Sequence, residues 1–384
     1  SLGTTNYAYM KEEQGRLTDI QEKKPFTNNR INEYASSGTY YFSSGNLLLE
    51  SFKAIKDKNY SINGEFYVSL AYKELLTRDK NVAVYPLKYF FQWGTPDDLE
   101  EYLFWSKTFR LLINKNICYE EKKGSLIVPM AGRGKRFRDE GYSTPKPLIK
   151  VKNKPMVLSS VETLPNTLNK VFVIREDMDG INQISSMIKK DYPESNIKCL
   201  KEITEGQAIS SLIGLEELDK KADLSPLTIA SCDSGYIFDN QKFEKLLKRK
   251  NVDVIVWATR NHANAKRNPE MFGWIDSDEK GKIREVAVKK TINNDLSKFL
   301  ITGTFTFNNV SHFKKAVKSC IDKGEKINGE FYLDSCINEC ILLGYGCYIF
   351  EVESYISWGT PNDLKTFQYW QSAFNKWAYH PYKL

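Results

Sequence analysis

The sequence lacks the features of a membrane-spanning or secreted protein. No apolar run approaches the ~18 residues that a spanning helix needs, and the first twenty residues are polar and charged, unlike a signal peptide. Hydrophobic residues make up 41% of the 384 residues and charged residues 27%, as in ordinary globular proteins. We therefore expect a cytoplasmic protein with no membrane partner.

A strongly basic block is also missing. The net charge of +7 comes from 55 basic and 48 acidic residues that are spread along the chain. This balance supports an anionic substrate only weakly, and no motif of a nucleic-acid reader accompanies it. We expect a mixed-charge surface and no nucleic-acid partner.

Histidine is rare, and cysteine is not paired in C-x-x-C motifs. The three histidines stand in no spacing typical of a metal site or of a base that activates a nucleophile: His262, His312 and His380. Four of the seven cysteines lie on or near one predicted helix: Cys320, Cys336, Cys340 and Cys347. A metal site is one interpretation of this group. We favour the other, small buried hydrophobic residues in a reduced compartment.

The most informative stretch that is present covers residues 126–147. The apolar run Leu126-Ile127-Val128-Pro129 leads into Met130-Ala131-Gly132-Arg133-Gly134-Lys135-Arg136-Phe137. A buried strand followed by glycines and basic residues is typical of a phosphate-binding loop. The glycines let the backbone approach an anion, and N–H groups at the start of the next helix point towards it. We predict that Ala131, Gly132, Arg133, Gly134 and Lys135 bind nucleotide.

The spacing excludes two well-known phosphate loops. Gly132-Arg133-Gly134-Lys135-Arg136 lacks the glycine spacing and the Ser or Thr of a P-loop. Phe137 stands where the dinucleotide fingerprint requires its third glycine. Four cations nonetheless surround the loop, which suits the roughly four negative charges of a triphosphate: Arg133, Lys135, Arg136 and Lys146.

Three segments together resemble the signature of sugar-phosphate nucleotidyltransferases, a family that includes thymidylyl-, cytidylyl- and guanylyltransferases. They are Ala131-Gly132-x-Gly134-x-Arg136, Pro145-Lys146-Pro147-Leu148 and Lys154-Pro155-Met156. The resemblance implies an α/β fold of the Rossmann-like, GT-A-like kind, with three α/β/α layers and a mixed, mostly parallel central sheet. The alternative for the loop alone is a basic surface turn.

The pattern that follows the loop agrees with that fold. Short apolar runs at residues 171–174, 227–230 and 252–258 alternate with helical stretches at 208–218 and 241–249. Strands that alternate with helices predict a mostly parallel sheet covered by helices.

Two long blocks of the chain share motifs at a constant offset of 265 residues. Asn63-Gly64-Glu65-Phe66-Tyr67 returns at 328–332 and Trp93-Gly94-Thr95-Pro96 at 358–361, while Gly38-Thr39 matches Gly303-Thr304. A chain of this length is expected to hold about two domains. We predict that a first block, residues 4–112, and a second block, residues 269–377, share one fold.

Only the second block is preceded by a glycine loop. We therefore predict that residues 1–113 are the C-terminal half of a nucleotidyltransferase-like repeat, that 114–123 are a linker and that 124–384 are a complete domain. The first repeat should be catalytically silent. Either a longer protein was trimmed, or this half serves in packing or dimerisation. A half-domain exposes apolar surface and strand edges, which predicts docking, for example in a homo-oligomer.

Thr204-Glu205-Gly206-Gln207-Ala208 resembles the base-binding segment of the family. Glycine lets a flat ring lie against the backbone, and Gln207 offers both a donor and an acceptor to a base edge. We predict that Gly206 and Gln207 bind the nucleotide. The alternative is a capped helix start, with Thr204 or Glu205 near the cap.

Asp233 directly follows the predicted strand 227–230, where ligands of open parallel sheets bind. It matches the Mg²⁺-binding aspartate of the family, and a structural turn aspartate is the alternative. The resemblance also implies a second metal carboxylate, but Ser357 stands at its position and Gln92 in the first block. Either one carboxylate with phosphates and water suffices, or Asp363 or another residue substitutes, or activity is impaired.

Four residues are candidates for binding the acceptor substrate: Lys289, Gly303, Glu330 and Trp274. Val288-Lys289-Lys290 resembles the family's Glu-Lys pair near the acceptor phosphate, with Val288 in place of the glutamate, and we align Lys289 with Lys24. The segment at 328–332 resembles one whose glutamate contacts sugar hydroxyls, although a turn and an amphipathic helix explain it equally. For Trp274, core packing is the alternative to an aromatic wall.

The resemblance implies transfer of a nucleotidyl group from an NTP to a sugar 1-phosphate or a related phosphate monoester. We predict that Arg136 and Lys146 are catalytic, that Mg²⁺ is the cofactor and that the product supplies surface polysaccharide. A non-catalytic binding or scaffolding relative is the alternative, because Ser357 and Val288 depart from the family pattern. A nucleotide-sugar glycosyltransferase is less favoured, since Asp233-Ser234-Gly235 lacks a second aspartate.

Overall fold

A computed structural model describes residues 7–28, 32–113, 119–260, 262, 265, 268–293, 295, 297–324 and 326–383. The chain forms two compact units, Ser1–Gln92 and Trp93–Leu384. Within the described part, helices that combine the length and apolarity needed to cross a membrane do not occur.

The first unit is a small antiparallel sheet with two helices. Its strands are β1 (Ala8–Glu13), β2 (Arg16–Glu22) and β3 (Tyr34–Ala35), in the order β2-β1-β3. Its helices are α1 (Gly45–Asp57) and α2 (Val68–Thr77). Leu17, Ile20 and Leu75 are at most 3% exposed and pack in one cluster. Leu17 and Ile20 are three residues apart, and the register shift in the pairing of β1 with β2 lets both face α2.

The second unit carries the remaining elements. Its helices are α3 (Pro96–Leu111), α4 (Lys135–Asp139), α5 (Met156–Val161), α6 (Ile181–Asp191), α7 (Gln207–Gly214), α8 (Asn240–Leu247), α9 (Val310–Lys323), α10 (Leu333–Leu342) and α11 (Pro361–Lys376). Its strands are β4 (Glu120–Pro129), β5 (Lys150–Val151), β6 (Lys154–Pro155), β7 (Asn166–Arg175), β8 (Asn196–Leu200), β9 (Leu227–Ala230), β10 (Ser234–Ile237), β11 (Val254–Thr259), β12 (Gly273–Ser277), β13 (Ile283–Val288), β14 (Phe299–Phe307), β15 (Cys347–Glu351) and β16 (Ser354–Ser357).

A mixed sheet lies at the centre of this unit, as the sequence predicts. Among the described residues the order is β13-β12-β14-β9-β4-β7-β8, with β11 paired to β14 and β15 to β11. Strands β9, β4, β7 and β8 are mutually parallel, whereas β14 is antiparallel to β9. Ile127 packs towards α7 and α9, and its neighbours Leu126 and Val128 pack towards α5 and α6. Both faces of the sheet are therefore covered, which gives three layers.

Elements of the first block recur in the second block. Helices α2 and α3 have the bounds of α10 and α11 minus 265, and α1 begins 265 residues before α9. The pairing of Tyr9 with Ala35 matches that of Trp274 with Leu300. One hairpin differs by a residue, because Ala8 faces Glu22 whereas Gly273 faces Val288. The alignment of Lys289 with Lys24 is therefore wrong by one position, and Lys23 is its counterpart.

Helix α3 belongs to the second unit and packs on α11 through aromatic side chains. Phe109 contacts Phe374, its counterpart 265 residues later, with ring centroids 5.5 Å apart. The neighbouring contacts exchange counterpart positions: Tyr102 with Trp370 at 6.0 Å and Trp105 with Phe367 at 6.1 Å. Such reciprocity is typical of a twofold, isologous contact.

The division between the units falls before α3, at residues 92 and 93. Of the predicted linker, residues 114–118 lie outside the described part and 120–123 lie in β4. The assignment of 1–113 and 124–384 to a half and a complete repeat stays a prediction.

Candidate functional site

The glycine loop begins where β4 leaves the sheet. The Met130 amide donates to the Val173 carbonyl at 2.9 Å, and the Arg175 guanidinium donates to the Ala131 carbonyl. Gly134 adopts φ +59°, and a Cβ there would lie 3.4 Å from the Lys146 Cβ. The backbone thus turns out of the sheet and comes to rest against Lys146.

The short helix that follows the loop has one buried side chain, Phe137, and two exposed ones directly before it. Phe137 is 1% exposed and meets Tyr142 edge-on at 5.1 Å, whereas Lys135 and Arg136 are exposed. Lys146 stands in the short 3-10 turn Lys146–Leu148. Burial of Phe137 therefore fixes the helical turn that carries the two exposed cations.

Asp233 lies between β9 and β10, and its carboxylate forms an ion pair with Lys146. Burial acts to raise the pKa of Asp233, but the Lys146 charge together with hydrogen bonds from Lys146 and Ser231 outweighs burial and holds this pKa below its ordinary value. Burial likewise acts to lower the pKa of Lys146, but the Asp233 and Cys232 charges and the hydrogen bond to Asp233 together raise it. Both groups are charged near neutral pH, so the glycine loop and the end of β9 meet at a charged centre.

The strand that lies beside Asp233 brings further polar groups. Strand β16 is antiparallel to β10 and places Ser357 opposite Ser234. The Ser357 hydroxyl donates to the Asp363 carboxylate at 3.2 Å, and a Cβ at Gly359 would lie 3.2 Å from the Asp233 carboxylate. Burial raises the pKa of Asp363, and the charge of Asp233 adds to the rise. Asp363 is therefore within electrostatic reach of Asp233.

The predicted base-binding segment packs against the backbone of Phe331. Gly206 adopts φ +115°, and a Cβ there would lie 2.6 Å from the Phe331 carbonyl oxygen. The Phe331 amide donates to the Glu205 carbonyl at 2.7 Å. Helix α7 begins at Gln207 with Gly206 as its N-cap, and the Thr204 hydroxyl contacts Ser210 at 2.6 Å. Close backbone packing therefore requires glycine at this position.

Lys289, which the sequence predicts to bind the acceptor phosphate, directly follows β13. Its φ is +57°, its Nζ donates to the Met271 carbonyl at 2.8 Å, and it lies 5.5 Å from the centre of the Tyr332 ring. Burial lowers the pKa of Lys289; the charge of Asp334 opposes this effect and that of Arg136 reinforces it. The charge of Arg136 acts on Lys146 and Asp233 as well. Arg136 is therefore within electrostatic reach of all three charged groups.

One pocket of about 230 Å³ brings most of the predicted residues together. Its lining includes Ala131, Gly132, Gly134, Lys146, Gly206, Gln207, Asp233 and Glu330. Other predicted residues are not among those that line it: Arg133, Lys135, Arg136, Lys289, Gly303 and Trp274.

Gly303 and Trp274 support the site from within the fold. Gly303 adopts φ +85°, and a Cβ there would meet the Ser231 hydroxyl at 3.7 Å. Trp274 is 1% exposed, packs with Leu300, and its indole N–H donates to the Pro269 carbonyl at 2.8 Å. Trp274 therefore occupies the core, which was the alternative for this residue.

Two residues near the site were not identified from the sequence. Arg175 ends β7, next to β4 in the sheet, and a cation directly after a predicted strand is the signal that could have found it. Asp334 lies at the start of α10, and burial raises its pKa to about 6. Its proximity to Lys289 depends on tertiary packing, for which the sequence holds no local signal.

The cysteine cluster is part of the core. Cys320, Cys336, Cys340 and Cys347 are at most 4% exposed. Their counterparts in the first block are Ile55, Ala71, Leu75 and Val82, which are also buried. Within the described residues, groups of three or more His, Cys, Asp or Glu side chains that could hold a metal ion do not occur. The cysteines are therefore buried hydrophobic residues here.

Two of the three histidines also have evident structural partners. His380 is 1% exposed, stacks on Phe374 at 4.1 Å and contacts the Ser106 hydroxyl at 3.2 Å. His312 lies over the Tyr345 ring at 4.3 Å. Both contacts agree with structural roles.

Comparison with known proteins extends these observations. A family model described as nucleotidyl transferase matches residues 126–336. The nucleoside-diphosphate-sugar pyrophosphorylase from Vibrio cholerae RC9 shares the fold, with a TM-score of 0.52 and 20% identity over 63% of this chain and 98% of that one. The inositol-1-phosphate CTP transferase from T. maritima does so with a TM-score of 0.51 and 15% identity, over 67% and 98%. No curated protein matches the chain in sequence.

Proposed function

Because the chain belongs to the nucleotidyl transferase family, we propose that it transfers a nucleotidyl group from an NTP to a sugar 1-phosphate or a related phosphate monoester. Pyrophosphate is the second product. One observation carries the proposal: the ion pair of Lys146 with Asp233 lies in a pocket that the glycine loop, Gly206, Gln207 and Glu330 also line. Lys146 for a phosphate, the Gln207 amide for a base and the Glu330 carboxylate for a polyol thus line one pocket.

The loop and its cations bind the triphosphate in this proposal. Backbone N–H groups of residues 131–135 and the Arg136 guanidinium hold the β- and γ-phosphates and stabilise the departing pyrophosphate. Arg133 and Lys135 are exposed and add positive charge at the entrance. Lys146 exchanges its contact with Asp233 for one with the α-phosphate. Fixed cations stabilise charge that develops at phosphorus in the transition state.

The residues near Asp233 fit a bound Mg²⁺. Mg²⁺ is usually held by one or two carboxylates together with substrate phosphates and water. Asp233 supplies one ionised carboxylate. Asp363, which accepts a hydrogen bond from the Ser357 hydroxyl, is a second acid nearby. When bound, Mg²⁺ neutralises phosphate charge and orients the phosphates. Ser357 then orients Asp363 and is not itself a charged ligand.

The two substrates occupy opposite sides of the pocket in this proposal. Gln207 hydrogen-bonds the base, whose ring lies against Gly206. Glu330 accepts hydrogen bonds from acceptor hydroxyls, and Lys289 binds the acceptor phosphate from beyond the pocket. Gly303 allows the positive φ of the backbone beside Ser231, and Trp274 supports β12 from the core.

The reaction is an in-line displacement. A phosphate oxygen of the acceptor attacks the α-phosphorus, a new P–O bond forms, and the bond to pyrophosphate breaks. The attacking phosphate is already anionic near neutral pH, so a general base is not required. Positioning by Lys289 and charge stabilisation by Arg136 and Lys146 supply the catalysis.

A matrix of NTPs against phosphate monoesters, with pyrophosphate detection, tests the proposal. With the best pair of substrates we expect Lys146→Ala to lower turnover roughly 10² to 10³-fold, the scale of removing one transition-state contact. Lys150→Ala is the matched control, because Lys150 is exposed on β5 nearby and should keep full turnover. Wild-type turnover in the Lys146 variant would contradict the assignment.

A non-catalytic relative is the second candidate, because Ser357 and Val288 stand where the family pattern has carboxylates. Calorimetry with each NTP and Mg²⁺ separates the two. Tight binding without pyrophosphate release across the matrix favours the binding protein, whereas release with any pair favours the enzyme.

We also propose that the product is an activated unit for surface polysaccharide and that the first block mediates packing or dimerisation. A coding gene located next to polysaccharide genes, and loss of the polymer when that coding gene is deleted, would support the role in polysaccharide supply. Sedimentation of the full chain at several concentrations tests the latter, and a strictly monomeric chain would contradict dimerisation.

A further inference from the structure

The two blocks place a lysine in the same position after one hairpin. Lys23 follows β2 and Lys289 follows β13, with φ values of +56° and +57°. Each Nζ lies over the ring of a tyrosine that precedes the equivalent helix, 4.5 Å from the centre of Tyr67 and 5.5 Å from that of Tyr332. The two lysines therefore share a backbone conformation and a position over the ring of a counterpart tyrosine.

In the first block two carboxylates act on Lys23: Glu65 forms an ion pair with its Nζ at 3.9 Å, and Glu22 comes from the strand. Glu22 directly precedes Lys23, faces Ala8 across the hairpin, and accepts a hydrogen bond of 2.5 Å from the Ser69 hydroxyl on α2. Its charge also acts on Lys23. Strand and helix thus meet through one carboxylate and one hydroxyl.

In the second block the same three positions have changed together. Val288 replaces the strand glutamate and is 8% exposed, so the strand carries no acid. Asp334 stands at the position of the helix serine, and Gly273 stands at the position of Ala8. A Cβ at Gly273 would lie 2.2 Å from the Asp334 carboxylate. Only glycine leaves room for this carboxylate, which therefore lies over the hairpin beside Lys289.

We propose that Asp334 is a positioning residue of the acceptor site: it supplies from α10 the negative charge beside Lys289 that Glu22 of the strand supplies beside Lys23, while Glu330 stands at the position of Glu65. This inference rests on the proposed function for its consequence, the binding of an acceptor phosphate. The Lys289 Nζ donates to the Met271 carbonyl at 2.8 Å, and the charges of Asp334 and, to a smaller extent, Glu330 act on this amine. Both charges oppose the lowering of the Lys289 pKa by burial and so favour the protonated form that an acceptor phosphate would bind.

A purely structural role for Asp334 makes a different prediction. An acidic residue in the first turn of a helix also stabilises the helix, and its loss would then change stability without changing the acceptor. The structural and the positioning role can be separated by substitution, because the Glu and Ser of the first block can be introduced at positions 288 and 334 of the second block.

The first measurement is kinetic. We expect Asp334→Asn, which keeps the shape of the side chain, to raise KM for the best acceptor about 10- to 100-fold, as expected for losing a charged partner. Its effects on KM for the NTP and on kcat should be smaller. Asp334→Ser with Val288→Glu rebuilds the arrangement of the first block and should restore acceptor KM. Glu22→Gln is the matched control and should leave all constants unchanged.

The second measurement needs no substrate. We expect the pKa of the Lys289 amine, followed by NMR of ¹⁵N-labelled lysine, to fall in Asp334→Asn and to recover in the Val288→Glu, Asp334→Ser variant. Unchanged Lys289 titration, or no recovery, overturns the inference even if the wild type releases no pyrophosphate. Failure of the proposed function alone would leave the titration shift in place.

Discussion

The two blocks carry helices at equivalent positions but differ in which side chains are covered. Phe66 is 43% exposed and Trp93 is 53% exposed, whereas their counterparts Phe331 and Trp358 are 4% and 3% exposed. In the second block, the Phe331 amide donates a hydrogen bond to the Glu205 carbonyl, and a Cβ at Gly235 would lie 2.7 Å from the Trp358 ring. The same residues are therefore covered where residues 126–268 are packed against them.

The comparison separates folding from chemistry. Cores of the two blocks differ in composition, with Ile55 and Leu75 at the places of Cys320 and Cys340. The helices that carry Leu75 and Cys340 nonetheless keep the same bounds, and those that carry Ile55 and Cys320 begin at equivalent residues and end one residue apart. Cores accept such exchanges when volume and patterning are retained. In our proposal the negative charge that Glu22 of the strand places beside Lys23 comes from Asp334 of the helix beside Lys289, so that the local charge, and not its origin, is retained.

The largest expected effect tests whether α3 and α11 are equivalent. Phe109 and Phe374 are both 0% exposed, so Phe109→Ala and Phe374→Ala should each lower the free energy of unfolding by about 3 to 5 kcal/mol. Denaturant unfolding followed by circular dichroism measures both. Leu103→Ala on α3 is the control, because Leu103 is 53% exposed and the change should stay within about 0.5 kcal/mol.

The double variant sharpens this test. Because the two rings touch, the combined cost should differ from the sum of the single costs by about 0.5 to 3 kcal/mol. Strict additivity, or a cost confined to one of the two helices, would show that the reciprocal contact does not stabilise both.

A smaller effect concerns Asp334, which titrates where its counterpart Ser69 does not. Burial raises the pKa of Asp334 from 3.8 to about 6, although the Lys289 charge opposes the rise. The folded state holds the proton more tightly, so this group stabilises the fold below pH 4 and loses that contribution as pH rises through 6. Relative to wild type, Asp334→Asn should gain up to about 3 kcal/mol between pH 4 and pH 7.

Urea unfolding at both pH values checks this expectation. Ser69→Asn is the control, and its effect on the free energy of unfolding should be the same at pH 4 and pH 7. A pH-independent effect of Asp334→Asn would contradict the assigned burial. With the kinetic expectation above, the variant would be more stable and a poorer binder, as is common at functional sites.

The smallest effect concerns the cysteines. Cys336→Ala introduces the residue that the first block has at this position, Ala71, and should lower the free energy of unfolding by about 1 kcal/mol or less. Pyrophosphate release should be unchanged. A loss of activity, or zinc in the purified protein that disappears in the variant, would show that the cluster does more than fill space.

Local patterns predicted much of this architecture. The apolar run at 227–230 is β9, the run at 171–174 lies in β7, and the stretch at 241–249 largely coincides with α8. The loop and Asp233 were placed together because ends of parallel strands meet at one edge of a sheet. The mixed sheet and the family are confirmed.

What sequence reasoning missed depends on contacts between distant residues. The one-residue difference between the hairpins is set by strand register, so Lys24 was matched in place of Lys23. The charge of Asp334 acts on Lys289 because α10 packs on the hairpin, where Gly273 leaves room for the carboxylate. Trp274 is a core residue because its position on β12 faces Leu300, which a flanking glycine does not reveal.

The reciprocal contact of α3 with α11 has a thermodynamic consequence. Two identical helices on separate molecules would pair only above a threshold of protein concentration, whereas here one polypeptide carries both partners. Dilution cannot separate them, and their stoichiometry is always one to one. The aromatic seam therefore keeps the geometry of a twofold assembly without the loss of translational freedom that assembly normally entails.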